Sequence, residues 1–305
     1  MIKEKLITTF VYDFYDATRT FLKYLFYSSI PRKWIISERY KKVFGKELNW
    51  EHPHDLNEKI NWLKLYSDTS KWSDLSDKYK VREYVIEKGL GRILVPLYGK
   101  WDNPDDIDFS ILPNSFVLKS NHGSNDIIIV RDKSKIDRNY TLTLLRKAYR
   151  QKFGLEKGEF HYLPITPCVI AEQLLEQNDP WTTSIVDYKI WCFSGKPAYI
   201  WTCYSRTKKI VYVETRDLNW GYHPEKSIFT PHYRDGKGIV PKPKCLDDML
   251  FIASVLSEGF PEVRVDLYEI EGKVYFGELT FASNAGYNNF YSQDFLNELG
   301  GLIKI

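Results

Sequence analysis

Apolar positions over residues 6–26 recur at helical steps. Leu6, Ile7, Phe10, Val11, Phe14, Tyr15, Phe21, Leu22, Leu25 and Phe26 make one stripe, while Asp13, Asp16, Arg19 and Lys23 fall opposite. Pro31 stops this helix. The aromatic stripe fits two arrangements. One is a helix docked on its own domain. The other is a helix lying on the inner membrane surface, with Lys3, Lys5, Lys23, Arg32 and Lys33 near lipid phosphates. A second helix starts near Asp55, where Asp55 and Glu58 have capping-box spacing and Leu56, Ile60 and Leu63 form the stripe. A third starts around Asp77, includes Lys78, and runs through Val81, Tyr84 and Val85 to Gly89.

The period then changes. Strands are predicted at 116–119 and 126–130, joined by a loop over Ser120-Asn121-His122-Gly123-Ser124-Asn125. After a helix over 141–153 come strands at 169–175, 186–193, 198–204 and 210–213. Residues 214–245, rich in Pro, Gly, His and charge, read as a long functional or mobile loop. A helix at 246–256 precedes a hairpin of 263–270 and 274–281. Helices first and strands afterwards make the class α+β.

Composition adds bounds. Forty-three Lys and Arg against 40 Asp and Glu exclude a polyanion-wrapping or acidic solvating chain, and no nucleic-acid partner is expected. With 43% hydrophobic residues over 305 positions there is material for a large core. Cys168, Cys192, Cys203 and Cys245 form no CxxC pair, which fits a reducing compartment. No stretch is apolar enough to span a membrane and the N-terminus lacks a signal-peptide layout, so a cytoplasmic protein is expected.

Candidate chemistry concentrates in the two hairpins. Arg264, Asp266 and Tyr268 alternate on one strand face, and Glu278 and Thr280 share a face of the partner strand. Antiparallel pairing can set Asp266 beside Glu278, where a cation such as Mg²⁺ relieves their repulsion, unless the face is an ordinary salt-bridged one. Lys119 ends an apolar strand just before a small polar loop that could cradle phosphate or simply turn the hairpin. Glu172 follows an apolar run, and Lys189 lies inside a core-bound strand, where it needs an anionic partner such as Asp187 or Glu172.

The order of these residues resembles the ATP-grasp superfamily, and is closest to its TupA-like branch, associated with bacterial surface-polysaccharide gene clusters. The strings carrying the likeness are LNEKINWLKLY, SDKYKVREYV, LVPLYGKWD, FVLKSNHGS, VIAEQLLE, DYKIWCFSGKP and VRVDLYEIEGKVYFGELTF, roughly residues 55–285. The resemblance implies two α+β subdomains that close on ATP, with an N-terminal helical extension. Its divisions would be 1–54 for the extension, 55–115 for a helical linker and the start of the grasp region, 116–175 for the phosphate-loop subdomain and 176–305 for the metal-hairpin subdomain. It assigns Lys78 and Lys119 to the α- and β-phosphates and Ser120, Asn121, His122, Gly123, Ser124 and Asn125 to a mobile loop over them. Glu172, Gln173, Leu174 and Leu175 would read adenine, with Glu176 near the ribose. Lys189 would approach the γ-phosphate, Arg264 an acyl-phosphate, and Asp266, Glu278 and Thr280 would hold Mg²⁺. Thr280 replaces the Asn usual in the family's Glu-x-Asn motif, with Asn284 as a substitute ligand.

The implied activity is ATP-dependent carboxylate–amine ligation, with a carbohydrate or amino-acid acceptor. The alternatives are a glycosyltransferase, for which Asp106-Ile107-Asp108 would be the metal-binding DxD, a sugar kinase on the same ATP site, and a nucleotide-binding assembly protein docked on membrane enzymes through residues 6–26. His122 and His161 could face ligands or hold surface or packing positions. Trp181, Trp191, Trp201 and Tyr204 could stack on a sugar or fill the core, and Trp220, His223, His232 and Arg234 could belong to an acceptor-binding lid.

Overall fold

A computed structural model describes residues 10–305 apart from Asn125, with side chains from Phe14 onward. The expectations for Leu6, Ile7, Lys3, Lys5 and Asn125 lie outside the described residues. Helices α1 (Phe10–Ser28), α2 (Arg32–Phe44), α3 (Leu56–Tyr66), α4 (Ser70–Ser76) and α5 (Val81–Glu87) come first. Strands β1 (Leu97–Trp101), β2 (Phe116–Ser120) and β3 (Ile127–Val130), helix α6 (Arg138–Arg150) and β4 (Val169–Glu172) follow. Then come β5 (Asp187–Phe193), β6 (Lys196–Tyr204), β7 (Val211–Arg216), β8 (Tyr233–Asp235), α7 (Leu246–Leu256), β9 (Val263–Ile270), β10 (Lys273–Thr280) and α8 (Gln293–Leu302). Among the described residues no helix is long and apolar enough to cross a membrane.

The chain forms two compact units. The first holds the described residues up to Ile35 with Thr69–Val81 and Val95–Leu174, and the second holds Ile36–Asp68, Arg82–Leu94 and Leu175–Ile305. In the first, an antiparallel sheet runs β1-β4-β2-β3. Alternation sends Phe116, Leu118, Val169 and Ala171 to one face, where they pack with Leu145 of α6 and with Ile107, Phe109 and Leu112. The opposite face carries Lys119 and Glu172, and on β3 it exposes Ile127 and Ile129.

In the second unit a six-stranded sheet runs β10-β9-β5-β6-β7-β8, antiparallel except for β7 with β8. Met249, Ile252, Ala253 and Leu256 bury one side of α7, which packs on β5, β6 and β9. The predicted span of α7 matches its observed bounds. Asp55 caps α3 as its spacing predicts: it accepts from Glu58 N at 2.9 Å, while the Glu58 carboxylate takes His54 N at 2.8 Å.

Several expectations need correction. Helix α5 starts at Val81, so Lys78 lies in the turn before it, where the Asp77 carboxylate accepts from Tyr79 N at 2.8 Å. Strand β4 ends at Glu172, because Gln173 N turns to the Pro96 carbonyl at 2.9 Å. The 214–245 region is no free loop. It continues β7 to Arg216 and contains β8, and a buried Glu214–Arg216 pair at 2.6 Å fixes it. Arg216 also donates to the carbonyls of Trp220 and Val240, and the Tyr204 hydroxyl donates to Gly236 O at 2.9 Å.

Candidate functional site

In the first unit, Lys119 on β2 and Glu172 on β4 sit on adjacent strands of one face, with Nζ to Oε2 at 2.6 Å. Both are largely buried, at 16% and 8% side-chain exposure. Glu172, expected near adenine, is therefore the direct partner of a lysine expected at the phosphates. Beyond it, Gln173, Leu174 and Leu175 are half-buried and outside any strand.

The loop after β2 is built around Asn121. Its amide nitrogen donates to Asp77 at 2.8 Å and to Thr166 O at 3.0 Å, and its amide oxygen accepts from Cys168 N at 2.8 Å. Its backbone bonds Cys168 O and Lys78 N. Burial pushes the Asp77 carboxyl up despite the bonds from Tyr79 N, Lys80 N and Asn121. Asn121 is therefore an anchor rather than a free loop residue, and sequence reasoning missed Asp77, its partner. His122 is also buried. Its Nδ1 meets Asn121 Oδ1 at 3.2 Å and its Nε2 meets Gln151 O at 3.1 Å. Both partners are acceptors, and burial pushes the imidazole pKa down, so the neutral ring can donate to one of them at a time. The Lys78 ammonium donates to the Gly123 carbonyl, and Ser120 Oγ donates to Asp126. A Cβ at Gly123 would meet Asp126 Oδ2 at 2.7 Å, so a larger residue there would displace the Asp126 side chain. Ser124 is exposed.

In the second unit the register aligns Lys189 on β5, Asp266 on β9 and Glu278 on β10 in one row. Trp191, Arg264 and Thr280 form the next row. A β-bulge makes this alignment. From Phe276↔Leu267 regular pairing would set Gly277 opposite Asp266 and turn Glu278 to the other face; the bulge at Gly277 pairs Glu278 with Asp266 instead. A Cβ on Gly277 would stand 2.9 Å from Asp266 O.

Asp266 is the centre of the charge cluster. Arg264 donates to both its oxygens at 2.7 Å, and Lys189 Nζ lies 2.5 Å from Oδ2. Lys189 also pairs with Asp187 at 2.5 Å. Arg264 reaches Ser283 Oγ at 2.6 Å and Thr280 Oγ1 at 3.2 Å, and Glu278 at 3.8 Å. Burial alone would raise the Asp266 carboxyl; Arg264 and Lys189 outweigh it and hold the pKa below the ordinary value. Burial pushes Asp187 up, with Lys189 only partly offsetting it. Burial would likewise lower the Lys189 ammonium, but Asp187 and Asp266 keep it raised. Glu278 differs from its row partner because its side chain is 47% exposed.

Asp266, Glu278 and Thr280 therefore offer hard oxygen donors in one patch. Asp266 already shares both oxygens with cations, whereas Glu278 reaches solvent. Among the described residues no three His, Cys, Asp or Glu converge as a metal cage. The set suits Mg²⁺ that takes its remaining ligands from phosphate. Asn284 is exposed and donates to Tyr287 O at 2.5 Å. It begins a strained segment, since Asn284 and Ala285 have φ of 45° and 58°. Three buried polar side chains of α3 brace that segment: Lys64 donates to Ala285 O at 2.7 Å, Asn61 to Gly286 O at 2.8 Å, and Asn57 accepts from Asn288 N at 2.8 Å.

The remaining candidates fall elsewhere. Asp108 accepts from Ser110 N at 2.8 Å as a turn residue, and Asp106 ends a 3₁₀ turn, so the DxD tripeptide is local turn structure. Trp191 and Trp201 are core residues, Trp201 stacking on Phe290 at 4.6 Å, and Trp181 lies edge-on to buried Tyr204 at 5.7 Å. His161 packs against Trp72 at 5.5 Å. His223 is held by Asp217 and Glu225, and His232 by Lys209 O.

A family profile described as TupA-like ATPgrasp matches residues 58–304. No curated protein matches the chain. Among solved structures it is similar to the D-alanine–D-alanine ligase of Bacillus anthracis complexed with ATP, at 15% identity and a TM-score of 0.40, covering 74% of this chain and 65% of that one. It is also similar to the Helicobacter pylori D-alanine–D-alanine ligase, at 13% identity and 0.45, covering 82% and 67%. The ATP-grasp ligase PsnB complexed with minimal precursor, Mg and ADP matches at 10% identity and 0.37, covering 74% and 57%. The chain thus spans less than two thirds of the length of the B. anthracis enzyme and of PsnB. Because one profile runs from α3 through the Lys119 loop and the Asp266–Glu278 row into α8, the chain belongs to the TupA-like ATP-grasp family.

Proposed function

We propose that the protein is an ATP- and Mg²⁺-dependent carboxylate–amine ligase. The observation that carries this is the row Lys189–Asp266–Glu278 with Arg264 fixed beside it by Asp266, Ser283 and Thr280. In this reading Lys78 and Lys119 bind the α- and β-phosphates, the chain from Gln173 to Leu175 reads adenine, and Ile127 and Ile129 offer apolar surface beside Lys119. Lys189 approaches the γ-phosphate. Asp266, Glu278 and Thr280 would hold Mg²⁺, which supplies charge neutralisation at the phosphates.

A carboxylate oxygen of the donor attacks the γ-phosphorus, the bond to the bridging β–γ oxygen breaks, and ADP leaves with that electron pair. An amine then attacks the acyl carbon, the C–O bond to phosphate breaks, and the nitrogen releases its proton. Arg264, immobile and buried, is suited to the negative charge that develops on the acyl oxygen. No enzyme nucleophile is required. The donor we infer is a uronic-acid or amino-acid carboxylate of a bacterial surface polysaccharide, with a carbohydrate or amino-acid acceptor.

The test is incubation with ATP, Mg²⁺ and pools of amino acids and uronic-acid glycosides. ADP, phosphate and a new amide mass in equal amounts support the reading. A phosphorylated sugar without free phosphate would make the protein a kinase, and unchanged ATP in every pool would overturn nucleotide chemistry altogether.

A further inference from the structure

We propose that the outer face of α1 docks on an anionic lipid bilayer. Its amphipathicity is inverted. Residues 16, 20, 23 and 27 face the protein: Asp16 is buried and paired with Arg150 at 3.5 Å, and Lys23 meets Glu156 at 2.5 Å. The aromatic stripe faces away, with Phe14 at 68%, Phe21 and Leu22 at 58% and Phe26 at 62% exposure. A helix that merely closed its own domain would turn this stripe inward, because burying it is the driving force for docking. Here polar contacts hold the helix and leave its apolar side presented. Trp34, at the start of α2, is also 53% exposed.

The charge around the patch selects the occupant. Lys23 is taken by Glu156 and Arg32 lies over Phe160; Arg19 and Lys33 are exposed beside the stripe, while Asp16, the acid between Phe14 and Ser37, points inward to Arg150. An apolar stripe rimmed by cations matches the acyl boundary and phosphates of an anionic leaflet. A second copy of the chain would bring two positive rims together. The helix is too polar to span, so it lies in the interface plane.

The experiment is co-sedimentation of the full chain with phosphatidylglycerol-containing vesicles and with pure phosphatidylcholine vesicles, together with sedimentation velocity in the absence of lipid. The full chain should bind the anionic vesicles and bind the neutral ones roughly tenfold or more weaker. Phe21→Glu with Phe26→Glu should reduce anionic-vesicle binding roughly tenfold or more while keeping the native circular dichroism melt, since both side chains are exposed. Arg19→Glu with Lys33→Glu, which leaves the apolar stripe intact, should weaken binding to the anionic vesicles. Absence of binding to anionic vesicles overturns the proposal. So does a concentration-dependent dimer that the double Phe variant converts to monomer.

Discussion

Asp266 and Glu278 are partners in register, yet the same carboxylate-to-amide change should affect them differently. The buried cluster contains Asp187, Lys189, Arg264 and Asp266, two charges of each sign. Asp266→Asn leaves two cations with one carboxylate and turns an amide NH₂ toward donors on Arg264 or Lys189. Removing one member of a buried pair costs about 3–5 kcal/mol, or roughly two to four powers of ten in the folded-to-unfolded ratio. Glu278 is half exposed and 3.8 Å from Arg264, so Glu278→Gln should cost about 0–1 kcal/mol. Turnover should fall by roughly two to four powers of ten in both variants, because each loses a charge proposed to hold Mg²⁺. Urea denaturation separates the two costs. Adding Lys189→Met to Asp266→Asn restores neutrality and should recover part of the loss. The Asp266 contribution is fully present above the unfolded carboxylate pKa of about 3.9 and disappears as pH falls through its lower folded value. Asp266→Asn should therefore flatten the acid arm of the stability profile. Stability within about 1 kcal/mol of the parent for Asp266→Asn would refute the reasoning, since a buried charge cannot lose its counter-charge so cheaply.

Gly277→Ala should strain or remove the bulge, costing about 1–3 kcal/mol and most of the turnover, read by denaturation and phosphate release. Asn121→Ala leaves Cys168 N without its side-chain acceptor and Asp77 Oδ2 without the Asn121 donor and should cost about 2–4 kcal/mol, with nucleotide affinity falling as the loop loosens. Lys119→Ala should weaken ADP binding in calorimetry, whereas Glu278→Gln should leave much of it intact. Glu262 is fully buried with both oxygens unpartnered, and burial raises its pKa well above the usual value. Its neutral form favours the fold below the unfolded Glu pKa of about 4.3, and that advantage is lost as pH rises through the folded value. Glu262→Gln should remove this decline, so that denaturation at pH 5 and pH 8 differs less than in the parent.

The elements that were legible in the sequence are those whose pattern matches their environment. Strands β9 and β10 alternate, and Glu271-Gly272 at positive φ closes the hairpin between them. Helix α7 has buried apolar positions on one side and was read to the residue. Roles and pairings were missed where environment and pattern part. The buried positions of α3 include Asn57, Asn61 and Lys64, spaced as a helix face. Polar residues at that spacing look like a solvated side, and only the carbonyls of 285 and 286 and Asn288 N, more than two hundred residues away, give them their purpose. Strand β8 has three residues and joins β7 in parallel, a pairing that local alternation does not encode.

The site shows the same division. Charged residues in a strand interior signal a buried cation–carboxylate cluster, because isolated burial is too costly. That logic reached Lys189, while cross-strand pairing of two carboxylates reached Asp266 and Glu278, with Arg264 on the same face. It did not rank the partners: Asp187 and Asp266 together hold Lys189, while Glu172 belongs to Lys119. The single glycine inside β10 was the overlooked signal. A glycine in a strand marks a bulge or a close backbone approach, and here it marks both. Without that one-residue shift, Glu278 would face the α7 side of the sheet. The alignment of the two carboxylates is therefore a property of Gly277 as much as of the acids themselves. It makes the glycine a sharper test of a shared role than either carboxylate, since its replacement leaves every charge in place and changes where Glu278 and Thr280 point.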